Sequence, residues 1–226
     1  MRSRTCHHGA VTTLLLDIRK LGLRDYCETW QAMQTFTASR VPGQTSELWL
    51  VEHPPVFTQG QAGKREHVLD AGKIPVVQTD RGGQVTYHGP GQLVCYLLLN
   101  LDEIGIGIRS LVHRSERAIL RLLDTEGITA ERHEGAPGVY SAGAKIAQIG
   151  LRVKKHNTYH GLSLNVGMDL EPFGRINPCG YAGLPVTDMR SEGSPLEIDE
   201  AGERLCGFLA EEMGYTINQL FLTFPG

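Results

Sequence analysis

Glycine-rich loops alternate with short apolar runs along most of this chain, and that alternation limits what it can fold into. The runs are rich in Val, Leu, Ile and Tyr and end at Gly or Pro, which is typical of strands; they are Leu48–Val51, Ile74–Gln78, Gln92–Leu101, Lys145–Val153 and Tyr159–Val166. Many of the 27 glycines lie in the loops between them. Because loops between strands are where functional sites are usually built, the pattern predicts a sheet whose loops carry a site.

Helical patterns flank these strands. Asp25 and Glu28 form a capping box ahead of a face made by Tyr26, Trp30, Met33 and Thr37. Two further helices are predicted from Ser110 to a stop at Gly127 and from Asp199 to a stop at Gly214. No repeat or linker-like composition divides the chain. We therefore predict one α+β domain over residues 11–226, with helices packed on a mixed sheet, after a flexible tail of residues 1–10.

Composition excludes several classes of protein. With 22 Lys+Arg against 25 Asp+Glu, the formal net charge is -3, which gives no broad positive field for nucleic acid or an anionic membrane. No apolar stretch approaches the ~20 residues that a bilayer requires, and no export signal begins the chain. Five cysteines, an odd count without a C-x-x-C pair, favour reduced thiols in the cytoplasm and argue against a structural metal.

Nucleotide-binding motifs are also missing. Gly63-Lys64-Arg65 lacks the first glycine and the hydroxyl of a P-loop, and Gly105-Ile106-Gly107 lacks the third glycine of a dinucleotide motif. This favours chemistry on a substrate that arrives already activated, with no cofactor.

Two loop segments hold side chains suited to binding or proton transfer. In Arg81–Gly91, paired glycines let a substrate approach main-chain N–H groups, and a tyrosine and a histidine follow, although an ordinary hairpin would also explain the pattern. In Gly143–Gly150, Lys145 opens an apolar strand beside small residues. A lysine desolvated there can exchange a proton near neutrality, whereas a lysine at a strand end more often reaches water.

A third segment, Ile176–Gly183, presents Cys179 between a proline and a glycine. A restricted loop of this kind can hold a rigid thiol beside an N–H that stabilises an oxyanion, and a nearby lysine would activate the thiol. Cys27, Cys95 and Cys206 fall in predicted helices or an apolar strand and are interpreted as core residues. Cys6 lies in the tail with His7 and His8, which without a partner cluster indicates a solvated end.

The chain closely resembles the octanoyltransferases of lipoate biosynthesis in four ordered segments, DRGGQVTYHGPGQLVCYLLLNL, GAKIAQIGLRV, TYHGLSLNV and RINPCGYAG, preceded by LWLVEHPPVFTQG. The resemblance covers about Leu48 to Thr187. It implies the α/β fold shared by biotin and lipoate protein ligases. It also implies an enzyme that moves an octanoyl group from octanoyl-acyl carrier protein to a protein lysine through a cysteine thioester.

The resemblance further implies which residues form the site. A cysteine–lysine dyad falls on Cys179 and Lys145. The acyl pocket falls on Arg81, Gly82, Gly83, Gln84, Val85, Thr86, Tyr87, His88, Gln148, Ile149, Gly150, Gly161, Leu162 and Ser163. The implied acceptors are lipoyl domains of 2-oxoacid dehydrogenase complexes and the glycine cleavage H protein.

Three other functions remain open from the residues. An ATP-dependent lipoate ligase would share the fold and need no cysteine. A hydrolase could pair Cys179 with His88 or His160, and a carrier-binding module would have no turnover. The basic run Arg152, Lys154, Lys155 and His156 is either a docking patch for an acidic carrier or a solvated turn.

Overall fold

The computed structural model describes residues 13–178 and 182–222. In these residues the largest sheet has eight strands in the order β11-β1-β2-β6-β10-β9-β8-β7. Its strands are β1 (Leu14–Leu23), β2 (Ser46–Glu52), β6 (Gln92–Leu98), β7 (Ala130–His133), β8 (Ala136–Ser141), β9 (Ala144–Lys154), β10 (Asn157–Asn165) and β11 (Tyr215–Leu222). β1 pairs in parallel with both β2 and β11, and the remaining pairs are antiparallel, so the sheet is mixed.

A smaller sheet of three strands lies beside it, in the order β4-β3-β5. Its strands are β3 (Val56–Gln59), β4 (Val76–Gln78) and β5 (Val85–His88). Its own core contains Phe57, Val85, Tyr87, Phe173 and Ile176. This sheet holds the first predicted loop segment, because Arg81 follows β4 and leads into β5.

Helices cover both faces of the large sheet. They are α1 (Tyr26–Ser39), α2 (Leu101–Ile104), α3 (Ile108–Thr125) and α4 (Ile198–Met213). Leu93, Cys95 and Leu97 of β6 belong to the core that also contains α3 and α4 residues, whereas Val94, Tyr96 and Leu98 pack with Met33 of α1. Since side chains alternate along a strand, a strand that is apolar at every position can serve two cores at once.

The predicted helices are confirmed with small changes at their ends. Asp25 caps α1 by accepting from the Glu28 N–H at 3.0 Å. The second predicted helix begins at Ile108, two residues before Ser110, and Gly127 follows its end with φ +71°. Gly214 ends α4 in the left-handed conformation, as its position predicted. The mixed α+β architecture is therefore the one expected from the sequence.

The interpretation of Cys27 as a core residue is wrong. Its side chain is exposed on α1, whereas Cys95 and Cys206 are buried as expected. The helix buries Tyr26, Thr29, Met33 and Thr37. Position 27 follows Tyr26 by only one residue, which turns it about 100° away from that stripe.

No helix in the described ranges is long and apolar enough to cross a membrane. Within those same ranges, no group of three or more His, Cys, Asp or Glu side chains is arranged to hold a metal ion.

Candidate active site

A cavity lies between the large sheet, α1 and the loop that links β4 to β5. It is lined by Tyr26, Arg81, Gly82, Gly83, Gln84, Val85, Thr86, His88, Val94, Tyr96, Pro137, Lys145, Gln148, Ile149, Gly150, His160, Gly161, Leu162 and Ser163. About 550 Å³ of space lies between these atoms, its open mouth included. Most of the lining side chains are apolar or neutral, which suits an uncharged chain more than a charged ligand.

Lys145 lines this cavity from the start of β9. Its side chain is buried, with a relative exposure of 1%. Nζ donates to the Pro137 carbonyl at 3.0 Å and lies 5.2 Å from the centre of the Tyr140 ring. The Lys145 main chain is held on its other side by Pro185 and Thr187, because its N–H donates to Pro185 O and its carbonyl accepts from Thr187 N–H. The lysine therefore has a fixed backbone, and its side chain is directed toward the Pro137 carbonyl.

Arg81 organises the glycine loop from within. Its guanidinium is buried and donates to the carbonyl oxygens of Thr58, Gly82 and Gln84. Gly82 N–H donates to Leu151 O at 2.9 Å, which lays the loop across β9. A Cβ on Gly60 would lie 2.4 Å from Gly83 O, so only glycine permits this approach.

A chain of side-chain hydrogen bonds links this loop to the segment that pairs with the Lys145 main chain. Thr58 Oγ1 accepts from Arg81 and lies 3.3 Å from His88 Nε2. His88 Nδ1 lies 2.6 Å from Gln92 Oε1, and Gln92 Nε2 donates to Asn165 Oδ1. Because Gln92 Nε2 faces oxygen acceptors, Oε1 faces His88 and the His88 proton belongs on Nδ1. Asn165 Nδ2 then donates to Thr187 O.

Burial keeps two histidines of this region neutral. Burial lowers the pKa of His88 to about 3 and that of His53 to about 4. His53 Nδ1 lies 2.7 Å from Arg24 O and therefore carries the proton, so its Nε2 accepts from the Tyr96 hydroxyl at 2.7 Å. Neutral imidazoles at these positions hold neighbouring side chains by hydrogen bonds and add no positive charge to the cavity.

His160 reaches the same cavity from β10 and is bound to Asp80. Asp80 accepts from Trp30 Nε1 at 3.0 Å, from His160 Nε2 at 2.8 Å and from the Tyr159 hydroxyl. Burial would raise the pKa of the Asp80 carboxyl, but these hydrogen bonds outweigh it and hold that pKa below its usual value. His160 Nδ1 is buried with no hydrogen-bond partner, and the residue has φ +58°. The imidazole ring is therefore held through Nε2, and its Nδ1 makes no hydrogen bond within the described residues.

The structure gathers the residues that were expected to bind the acyl group. All of them except Tyr87 line the cavity, together with Lys145. The Tyr87 ring instead packs against Phe57 and Phe173, each with centroids 5.5 Å away, in the core of the small sheet. Tyr87 lies between Thr86 and His88 on β5, so its side chain points to the opposite face from theirs. Val85, at the start of the strand, belongs to the small-sheet core and also borders the cavity. The role of Tyr87 in binding stays a prediction.

Cys179 lies outside the described residues, as does the tail of residues 1–10. The chain on both sides of Cys179 is described. Asn177 N–H donates to His67 O, and Pro185 and Thr187 pair with the Lys145 main chain. The described chain before Cys179 is therefore bound to His67, and the described chain after it is bound to the main chain of Lys145.

Four lining residues were not identified from the sequence, namely Tyr26, Val94, Tyr96 and Pro137, whereas His160 was considered there as a possible partner of Cys179. Val94 and Tyr96 lie on the face of β6 opposite to Leu93, Cys95 and Leu97. The two-residue period of a strand predicts that they share a face, but it does not predict that a cavity lies on that face. No sequence signal shows that α1 places Tyr26 over this cavity.

The chain is similar to known proteins along most of its length. Residues 25–210 match the family model described as lipoyl protein ligase A/B catalytic domain. The chain is 58% identical over 198 residues to an octanoyltransferase from Stutzerimonas stutzeri, covering 88% of this chain and 90% of the relative. It is 55% identical to an octanoyltransferase from Azotobacter vinelandii, covering 90% of this chain and 94% of the relative.

Solved structures match in fold at low identity. A bipartite lipoate protein ligase from Thermoplasma acidophilum, from a structural analysis of that ligase and its E2 lipoyl domain, has a TM-score of 0.75 at 18% identity, covering 94% of this chain and 87% of that one. A lipoate-protein ligase A bound with ATP has a TM-score of 0.74 at 16% identity, covering 94% and 90%. Together with the family model and the close relatives, these matches confirm the resemblance carried by the four sequence segments: the chain belongs to the octanoyltransferase family and has a lipoyl protein ligase A/B catalytic domain.

Proposed function

We propose that this chain transfers an octanoyl group from octanoyl-acyl carrier protein to a lysine of a lipoyl domain, through a thioester on Cys179. The observation that carries the proposal is the buried Lys145 in a largely apolar cavity lined by the predicted acyl-binding segments. The relatives named octanoyltransferase support the octanoyl group, and the fold relative described with an E2 lipoyl domain of its own supports the class of acceptor.

In the first half-reaction, the Cys179 thiolate attacks the carbonyl carbon of the donor thioester. A new carbon–sulfur bond forms, and the bond to the carrier's sulfur breaks. Lys145 accepts the Cys179 proton and returns one to the departing thiolate, so charge and protons balance. One thioester replaces another, and a nearby cation assists because it stabilises the attacking thiolate.

In the second half-reaction, the acceptor lysine attacks the acyl carbonyl as a neutral amine. A free lysine has a pKa near 10.4 and is mostly charged at pH 7, so a base inside a dry site is needed. Lys145 removes a proton from the attacking amine and donates it to the Cys179 sulfur as the carbon–sulfur bond breaks. The products are an amide and the free thiol, and amide formation from a thioester is downhill.

The tetrahedral intermediate of each step needs N–H donors for its oxyanion. Gly180 N–H is one candidate, and the loop Arg81–Gly83 supplies the other. Gly82 N–H already donates to Leu151 O, so the amide that we propose as the donor in that loop is that of Gly83. The buried Arg81 guanidinium adds positive potential nearby.

The physiological acceptors in this proposal are lipoyl domains of 2-oxoacid dehydrogenase complexes and the glycine cleavage H protein. We also propose that residues 11–226 form one catalytic domain. This is supported by the pairing of β1 with β11, which joins the first and last described strands in one sheet.

The test is to incubate the protein with octanoyl-acyl carrier protein without acceptor and to locate the acyl group by mass spectrometry after digestion. We expect one octanoyl group on Cys179, none in Cys179→Ser, and slow acylation in a folded Lys145→Ala variant. An adduct on another residue, or full transfer by Cys179→Ser, would contradict the thioester route.

Adding a lipoyl domain or ATP to the same assay separates the alternatives. Amide on the domain without ATP supports the transferase. Product from free octanoate only when ATP is present would indicate a ligase instead. Release of free octanoate as the main product would indicate a hydrolase.

A further inference from the structure

The peptide unit that joins Pro137 to Gly138 lies between Lys145 and a buried carboxylate on α3. Its carbonyl oxygen accepts from Lys145 Nζ at 3.0 Å. Its N–H donates to Glu116 Oε1 at 3.0 Å. The C=O and N–H of a trans peptide point in opposite directions, so this one unit is bound by the lysine on one side and by the glutamate on the other.

Gly138 is the residue that permits this arrangement. Its φ is +133°, a conformation that side-chain-bearing residues rarely adopt. A Cβ there would lie 2.5 Å from Ala147 O and 2.7 Å from Lys145 Cε. The pairing of β8 with β9 also shifts between Val139 and Tyr140. The local ladder is therefore irregular at the point where the Gly138 N–H turns toward Glu116.

Glu116 is an unusual residue for its position. Its relative exposure is 4%, on a face of α3 whose other buried side chains include Leu111, Ile119 and Leu122. Burying a carboxylate costs free energy unless hydrogen bonds or cations compensate. Arg132 Nη1, on β7, lies 3.7 Å from Oε2, and the other oxygen binds the Gly138 amide.

We propose that Glu116 is a positioning residue for Lys145, acting through the peptide unit of Pro137 and Gly138. By holding the N–H, the carboxylate fixes the peptide plane and so fixes the direction of the Pro137 carbonyl. A charged acceptor on the N–H also polarises the unit and strengthens the hydrogen bond at its carbonyl end. An ammonium has three N–H bonds, and holding one of them at Pro137 O sets the directions of the other two.

This inference rests on the proposed function, because it assigns a role only if Lys145 moves protons in acyl transfer. Two conservative variants of Glu116 separate the effect of side-chain length from the effect of charge. Gln keeps the length and an oxygen acceptor for the Gly138 N–H, whereas Asp keeps the charge but is one methylene too short. If position matters, Glu116→Gln should function better than Glu116→Asp.

The experiment measures the rate of Cys179 acylation by octanoyl-acyl carrier protein in wild type and in Glu116→Leu, Glu116→Gln and Glu116→Asp. We expect the maximal rate to fall about 10- to 100-fold in the Leu and Asp variants, because misplacing a reacting group by about 1 Å has that effect. The half-saturating donor concentration should change less than about twofold, and the Gln variant should stay within about threefold of wild type. Arg132→Gln is the matched control, since it removes the ion pair but leaves the peptide unit bound, and it should acylate normally.

An Asp variant faster than the Gln variant, or a Leu variant at the wild-type rate, would overturn the positioning role. If the Leu variant fails to fold, the comparison of Gln with Asp still decides. Absence of acylation in the wild type would reject the proposed function itself. Equal rates in the wild type and all the variants would reject only the positioning role of Glu116.

Discussion

Glycine at position 161 decides how closely two strands behind the cavity can approach. A Cβ there would lie 2.0 Å from Cys95 O and 2.7 Å from Leu97 Cδ1, both on β6. We expect Gly161→Ala to lower the free energy of unfolding by about 1–3 kcal/mol or more, because the strands must separate to admit the methyl group. Urea unfolding followed by circular dichroism measures the loss.

Gly207 in α4 is the matched control for that substitution. It has open space around its Cα and no positive φ. Gly207→Ala should therefore raise stability by about 0.5–1 kcal/mol, since alanine is the better helix former. Equal effects of the two substitutions would contradict the steric explanation.

Some residues of the site could be predicted from the sequence, and others could not. Lys145 and the cavity-lining glycines were found because motifs in a fixed order carry them. Tyr87 was grouped with them because a motif does not say on which side of a strand each member lies. Cys27 was placed in the core because it was predicted to lie in a helix, and the direction in which its side chain points from that helix was not considered. His160 adopts a positive φ inside a strand, and no residue in the printed sequence around it signals that.

Asp80 connects α1 to β10 by hydrogen bonds. It accepts from Trp30 on the helix and from Tyr159 and His160 on the strand. We expect Asp80→Asn to lower the free energy of unfolding by about 1.5–3 kcal/mol at pH 7, toward the lower end because the side chain is partly exposed. Tyr159→Phe removes one of the three bonds and should cost less.

The Asp80 effect should depend on pH in a definite direction. Its pKa is lowered in the folded state, so the stabilisation is complete above the unfolded value of about 3.9 and is lost as pH falls from there toward the folded value. The difference in unfolding free energy between wild type and Asp80→Asn should shrink below about pH 4. A difference that stays constant down to pH 3 would contradict the assignment.

The predicted ends of helices agree with the structure where a capping side chain or a glycine marks them. Asp25, Gly127 and Gly214 lie at helix ends as predicted. The strand expected over Gln92–Leu101 ends at Leu98, because Asn100 accepts from the Asp102 and Glu103 N–H groups and begins α2. β1 was not predicted, since its Asp17, Arg19 and Lys20 interrupt the apolar pattern. Arg19 is accommodated there by Glu47 of β2, at 2.6 Å.

For the whole molecule, two buried neutral histidines predict sensitivity to acid. The pKa values of His53 and His88 are lowered to about 4 and about 3, from about 6.5 when unfolded. Below pH about 6.5 the unfolded chain binds protons that the folded chain does not, so stability falls with pH by about 1.4 kcal/mol per pH unit for each histidine. Urea unfolding at pH 7.0 and 5.5 measures this slope, and His113→Gln, at an exposed position, should leave it unchanged. Equal stability at both values would contradict it.

The position of the basic run in the molecule bears on carrier docking. Lys154 ends β9 and Lys155 lies in the turn to β10. Lys154 lies nine positions beyond Lys145 along β9, or about 30 Å. Reversing both charges, in Lys154→Glu with Lys155→Glu, should therefore change the KM for octanoyl-acyl carrier protein by less than about twofold. A KM that rises for the carrier-borne donor but not for a small octanoyl thioester would show that the carrier docks at this turn.

The pairing of β1 with β11 has a consequence for how the molecule is made. Leu14 is the partner of Tyr215, so the contact closes a loop of about two hundred residues, and such distant contacts form slowly. Until β11 has been synthesised, the outer edge of β1 lacks this neighbour and can pair with another chain. Nascent or truncated forms that end at Gly214 are thus the species most prone to aggregate, although every residue of the described cavity is already present in them.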